Sequence, residues 1–187
     1  MKKRSALLAL AAAGFLVIVP GPATADPNNA SGTWELHVDV PNVAMAPNGD
    51  TLAITGTGTF SVHPKSENVS GTFAHHVAGD GTLTGTWTAT DLLSFEFYGC
   101  GVVESIGLTL PPNFCGGALK LAVVFMPAGT SLTLPGMITV FCVIGPQAPP
   151  THDNPTEPGE EGVTAVVPGI ANFNKIVSGM NRYVRIA

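Results

Sequence analysis

Of the five histidines in this chain, His75 has the setting in which an imidazole does chemistry. Phe73, His75 and Val77 alternate with Ala74, His76 and Ala78, so the first three share one face of a strand and His76 points the other way. Paired as a hairpin with the stretch from Thr51 to His63, that face meets Phe60 and Val62. His75 then points into a core or a lumen. There an imidazole contacts a ligand or moves protons near neutral pH. Alternatively it is a core residue satisfied by a threonine hydroxyl or a backbone group.

Two further candidates for acid–base work, Glu96 and Tyr98, alternate with Phe95 and Phe97. If the phenylalanines face the core, Glu96 and Tyr98 face solvent; if the phenylalanines cover the outside, the polar pair enters the lumen with His75. No metal is expected. His63 and His75 diverge in the simplest hairpin registers, and His37 would have to meet His63 or His76 on the outer face without any ligand spacing to suggest it. Asp153, Glu157, Glu160 and Glu161 crowd a proline-rich stretch and read as a solvated acidic loop rather than a calcium site. Gly-x-Ser-x-Gly, His-Glu-x-x-His, Cys-x-x-Cys, a phosphate-binding glycine-rich lysine loop and an EF-hand loop are all absent. Those absences argue against the common hydrolases, zinc proteases, dithiol oxidoreductases and nucleotide enzymes, and no cofactor is implied.

The three cysteines divide by setting. Cys100 and Cys115 lie among glycines, in Tyr98-Gly99-Cys100-Gly101 and Phe114-Cys115-Gly116-Gly117, whereas Cys142 lies inside an apolar run. In an oxidising compartment a Cys100 to Cys115 bridge with Cys142 as a buried thiol is favoured, and three unpaired buried thiols are the alternative. A loop of that length is worth roughly 3 kcal/mol by chain entropy.

The compartment follows from the first residues. Lys2, Lys3 and Arg4 precede an apolar run from Ala6 to Val19, then Pro20, Gly21 and a small-x-small site at Ala23-Thr24-Ala25. This is the layout of a secretory signal peptide, residues 1–25, and the apolar run is shorter than the roughly 18–20 residues that cross a bilayer. No cysteine sits at the cut, which argues against a lipid anchor. Cleavage leaves residues 26–187, with five basic against thirteen acidic side chains and a net charge of −8. Such a surface repels nucleic acid and anionic lipid. The expected location is secreted or periplasmic, with no membrane association after cleavage.

The elements that must position these residues are strands. Only 11% of the chain is charged, with 22 glycines and 16 prolines, a composition for strands and tight turns. Trp34, Leu36, Val38 and Val40 alternate with Glu35, His37 and Asp39; Pro41 to Asp50 reads as a connection; Thr51 to His63 is a strand and Pro64 to Ser70 a polar turn. Gly71 to Ala78 and Thr82 to Thr90 follow, separated by Gly79-Asp80-Gly81. Leu92 to Tyr98, Ala118 to Met126 and Met137 to Ile144 read as central strands covered on both faces, with a short buried helix the alternative at Ala118 to Met126. The stretch 145–159 holds five prolines and makes a long stiff loop, and the tail supplies two or three strands ending at Arg182 to Ile186.

Gly-Thr-aromatic occurs four times, at Gly32-Thr33-Trp34, Gly58-Thr59-Phe60, Gly71-Thr72-Phe73 and Gly85-Thr86-Trp87. Glycine permits a bend or close approach, threonine suits the solvent face, and the aromatic fills the interior. The stretch Gly79 to Trp87 and the opening Ser31-Gly32-Thr33-Trp34 resemble the Gly-x-Trp and Gly-aromatic strands of avidin and lipocalin barrels. The resemblance covers under a tenth of the chain, implies a barrel, and carries over no binding residue. The expected fold is all-β: a single antiparallel meander closing into a small β-barrel of about eight strands or a tightly coiled sandwich. The expected function is a non-catalytic module binding a small apolar ligand through Phe60, Phe73, His75 and Trp87, or binding a partner surface. The alternative is a barrel enzyme of isomerase or cyclase type using His75 in a cavity. An outer-membrane barrel is disfavoured, since two tyrosines and two tryptophans cannot make aromatic girdles.

Overall fold

A computed structural model describes residues 31–149 and 161–186. The expected signal peptide and most of the proline-rich loop lie outside the described residues. Twelve antiparallel strands and one 3-10 turn make up the rest, with no α-helix among the described residues. They are β1 (Thr33–Met45), β2 (Thr51–Val62), β3 (Lys65–His76), β4 (Thr82–Cys100), β5 (Val102–Val103), β6 (Leu108–Thr109), β7 (Phe114–Pro127), β8 (Leu134–Cys142), β9 (Gly162–Val167), β10 (Ala171–Phe173), β11 (Lys175–Ser178) and β12 (Arg182–Arg185). The sheet order is β10-β9-β8-β7-β12-β1-β2-β3-β4, and β4 also pairs along β7 from Gly85 to Cys100. These pairings carry the meander round into a partial ring. β11 pairs with β1 from Val43 to Met45, and Gly162 at the start of β9 sits directly against Ile176 of β11.

The interior of the ring is filled where the aromatics gather. Trp34 lies 5.1 Å from Phe97 and 5.5 Å from Phe95, and Phe60 lies 4.9 Å from Phe95 and 5.7 Å from Tyr183, ring centre to ring centre. Tilted and edge-on contacts at these distances add to burial worth about 1.5–3 kcal/mol per large side chain. Tyr183, wholly buried, donates its hydroxyl hydrogen to the Val140 carbonyl at 2.9 Å. Trp87 is also sealed inside and donates from Nε1 to the Thr55 carbonyl at 3.0 Å.

The recurring glycines are where strands approach too closely for a side chain. A Cβ on Gly71 would lie 1.9 Å from the Thr55 oxygen, and one on Gly56, opposite it, 2.5 Å from the Trp87 ring. Threonines occupy the outer face as expected, with the Thr55 and Thr72 hydroxyls hydrogen-bonded across β2 and β3 at 2.7 Å.

Several boundaries differ from the sequence expectation. β1 runs on to Met45 through an irregularity between Val38 and Asn42, which absorbs Pro41 without ending the pairing with β2. The expected polar turn from Pro64 to Ser70 is strand: β3 begins at Lys65, so the hairpin turn is only His63 and Pro64. That tight turn slides the register, placing Leu52 opposite His75 and Ile54 opposite Phe73, with Phe60 opposite Glu67 instead. β7 is strand throughout, and its inner residues Leu119, Leu121, Val123 and Phe125 are buried while Ala118, Lys120, Ala122 and Val124 are only half-buried. Its apolar run therefore lines one interior and is not covered equally on two faces. The tail yields four short strands, β9 to β12.

Candidate functional site

The turn between β1 and β2 is built to fix one carboxylate. Gly49 takes φ +91°, the left-handed conformation that a side chain disfavours, and its N–H donates to the Ala46 carbonyl at 2.9 Å. The Asn48 side chain accepts the Asp50 N–H at 3.2 Å, and the Ala46 N–H donates to the Asp50 carbonyl. Asp50 is thereby turned inward. Its Oδ1 accepts the Ala78 N–H at 2.9 Å, and its Oδ2 accepts from His75 Nε2 at 3.0 Å. The Ala78 N–H, then the His75 hydrogen bond, hold the Asp50 carboxyl below the usual carboxylate range against the opposing effect of burial.

His75 follows from the strand pattern of β3, on the inner face beside Phe73. Its ring meets Phe173 of β10 edge-on at 5.3 Å. The His75 and Asp50 side chains are 12% and 9% exposed, so the pair is largely removed from water. Nε2 is committed to the carboxylate, and no described residue bonds to Nδ1, the other ring nitrogen.

Among the described residues, His75 is the one polar side chain lining an apolar cavity of about 250 Å³ at this end of the ring. Leu52, Phe73, Leu83, Phe125, Val167 and Phe173 form its walls. Val77, Leu83 and Ile170 extend the apolar surface outward, each more than a third exposed. The cavity lies at the starts of β2, β4 and β8 and the ends of β3, β7 and β9, away from the aromatic plug formed by Trp34, Phe60, Phe95 and Tyr183.

The residues singled out from sequence fall into separate places. Phe73 and His75 line the cavity; Phe60 and Trp87 are closed within the packed interior and do not. Glu96 is exposed on the outer face. Tyr98, expected to share its face, is instead buried, because β4 bulges between Phe97 and Gly99 and the parity breaks there. Burial, then the charge of Glu96, pushes the Tyr98 hydroxyl up to about 12. Neither Glu96 nor Tyr98 lines the His75 cavity. Cys100 and Cys115 face each other across β4 and β7 and are joined by a disulfide, while Cys142 is a buried free thiol whose Sγ donates to the Asn181 carbonyl at 3.1 Å. His37 lies between Glu35 at 3.4 Å and Asp39 at 3.6 Å, and no group of three metal-ligating side chains gathers among the described residues.

Asp50 is the site residue that sequence reading missed. Its signal was the Pro47-Asn48-Gly49-Asp50 turn, read as a connection without a role for its last residue.

The chain matches no protein-family model, no curated protein and no solved structure in the comparisons made. No helix among the described residues is long and apolar enough to cross a membrane.

Proposed function

We propose that this protein is an exported β-barrel module that binds a small, mainly apolar ligand at the mouth of its barrel without transforming it. The observation that carries the reading is the cavity of about 250 Å³ with, among the described residues, a single polar wall residue, His75. Apolar walls with one placed polar group are the usual make-up of a small-ligand site, and this volume lies just below the range of roughly 300–1,000 Å³ typical for drug-sized ligands. The ligand is accordingly compact, about the size of a substituted benzene. The packed interior supports a mouth site rather than a deep lumen. Export is supported by the amino-terminal pattern of residues 1–25 and is compatible with the Cys100–Cys115 disulfide. Sequencing the amino terminus of exported material tests it; a start at Met1 contradicts it.

Calorimetric titration with 4-methylphenol tests the site. The mature chain should bind it, and Leu83→Asp, which places a carboxylate on the partly exposed rim, should abolish binding while leaving the fold intact. Equal binding by the variant would remove the mouth cavity as the site.

One observation favours a second reading, a barrel enzyme of isomerase or cyclase type. The Asp50 carboxylate at 3.0 Å fixes the tautomer and orientation of His75, as a base-orienting group does in proton-transfer sites.

A further inference from the structure

Away from the mouth, the chain between β4 and β7 leaves the sheet as a flap, residues 101–113, carrying β5, the 3-10 turn and β6. The Cys100–Cys115 disulfide ties its neck. Val103 and Leu110 of the flap pack against the core, and with Phe114, Val143 and Ile144 they wall a cavity of about 350 Å³. Ile106 and Met180, at its edge, are 70% and 63% exposed.

A carboxylate projects into this apolar space. Glu161 lines the cavity, its Oε1 accepting the Val143 N–H and its Oε2 the Asn181 N–H, each at 3.0 Å. Two backbone donors fix the group in place but supply no counter-charge. Arg182 also lines the cavity, yet it is engaged by Asp39; Lys65 is engaged by Asp91. No described Lys or Arg forms an ion pair with Glu161, and residues 150–160 contain neither Lys nor Arg. A carboxylate withdrawn from water into apolar surroundings calls for a cation. Burial accordingly raises the Glu161 pKa, the backbone donors only partly offsetting it.

We propose that the cavity beneath the flap is a second binding site, for a small organic ammonium ion whose N–H groups meet Glu161 and whose apolar body lies against Val103, Leu110, Phe114 and Ile144. The site is independent of the mouth cavity and of the role assigned to His75. A carboxylate ligand is repelled by Glu161 and Asp39, and an uncharged one leaves the buried charge uncompensated.

Between pH 4 and 7 the ionisation of Glu161, raised above its ordinary 4.5, changes the charge that the ammonium meets directly; His37 stands beside Asp39 at 3.6 Å. The Cys142 thiol on β8 and the Tyr183 hydroxyl on β12 are pushed up by burial and stay neutral, as does Tyr98 on β4, while Asp39 on β1 and Arg182 on β12 are paired with each other. Binding of the ammonium should therefore strengthen as pH rises through that interval.

The experiment is a titration of the full mature chain with hexylammonium, hexanol and hexanoate, followed by NMR of the methyl groups. Hexylammonium should shift Val103, Ile106, Ile144 and Met180, bind at least tenfold tighter than hexanol or hexanoate, and lose that advantage in Glu161→Gln. Hexanol binding as tightly as hexylammonium, shifts confined to Leu83 and Ile170 at the mouth, or affinity independent of pH from 4 to 7 would each overturn the proposal. The comparison of the three probes and the pH series use the unaltered protein, so they stand even if Glu161→Gln does not fold.

Discussion

Replacing His75 by alanine has three effects at once. The hydrogen bond from Nε2 to Asp50 is lost, the edge-on contact with Phe173 is lost, and the mouth cavity widens. Asp50 keeps its bond from the Ala78 N–H, so its carboxylate is not left without a partner. A hydrogen bond to a charged group is worth about 1.5–3 kcal/mol net and an aromatic edge contact about 0.5–1.5 kcal/mol, which puts the total near ~3 kcal/mol. For a domain of this size each kcal/mol moves the melting temperature by about 2–4 °C, so a fall of about 6–12 °C is expected. Differential scanning calorimetry at pH 7 reads it. The binding side separates from the stability side: His75→Ala should still bind toluene, whose recognition is wholly apolar, but should lose any preference for 4-methylphenol, whose hydroxyl donates to Nδ1. His75→Phe, which restores volume and ring contact without the acceptor, should recover part of the melting temperature and none of the preference. A His75→Ala protein that melts within a degree of the parent would refute the stabilising role of the Asp50 hydrogen bond and the Phe173 contact, and an unchanged preference for the phenol would refute the part of His75 in the site.

The Asp50 carboxyl, held below its ordinary value, contributes stability that is present above pH 3.8 and is lost as pH falls through its lower folded-state value, so Asp50→Asn should flatten the acid limb of a melting-temperature profile between pH 2 and 5. Glu161 works in the opposite sense: with its folded-state pKa raised, the native state takes up a proton first and stability rises as pH falls toward 4.5, a gain that Glu161→Gln should erase from the same profile. Reducing the Cys100–Cys115 bridge, or changing both residues to serine, should cost about 3 kcal/mol by denaturant titration, with Cys142 reacting with iodoacetamide only after unfolding. A peptide map that places Cys142 in the main disulfide contradicts this. Gly71→Val should cost about 3 kcal/mol or more, since its Cβ position is 1.9 Å from a backbone oxygen that cannot move without parting β2 from β3.

What was legible in the sequence was what repeats. Two-residue alternation marked Trp34 and Leu36 as inward and His75 as sharing the face of Phe73, and the Gly-Thr-aromatic echoes marked the close approaches that let the sheet coil. The glycine settings of Cys100 and Cys115 distinguished them from Cys142, which lies in an apolar strand. Parity failed at the bulges. β4 shifts register at Ala89/Asp91, Leu92/Ser94 and Phe97/Gly99, so Glu96 and Tyr98, two residues apart, end in solvent and in the protein respectively. No local pattern announces such a shift, because the extra residue is chosen by how a strongly twisted strand meets β7. The partner of His75 was illegible for a related reason. Asp50 stands 25 positions away in a turn whose composition says only that the chain reverses, and its burial depends on the Ala78 N–H arriving from a different hairpin. Phe60 and Trp87 show the limit of reasoning from residue type: an inward aromatic is as apt to plug a barrel as to line its mouth.

The mouth of the barrel as a binding site is tested most directly by locating a bound probe. Intermolecular nuclear Overhauser effects should connect the methyl group of 4-methylphenol to Leu83, Phe125 and Phe173, and saturating probe should leave Trp34 and Phe60 unperturbed. Effects absent from those three residues, or confined to the outer threonine face around Thr55 and Thr72, would contradict the assignment of the cavity beside His75 as the place where this protein holds a ligand.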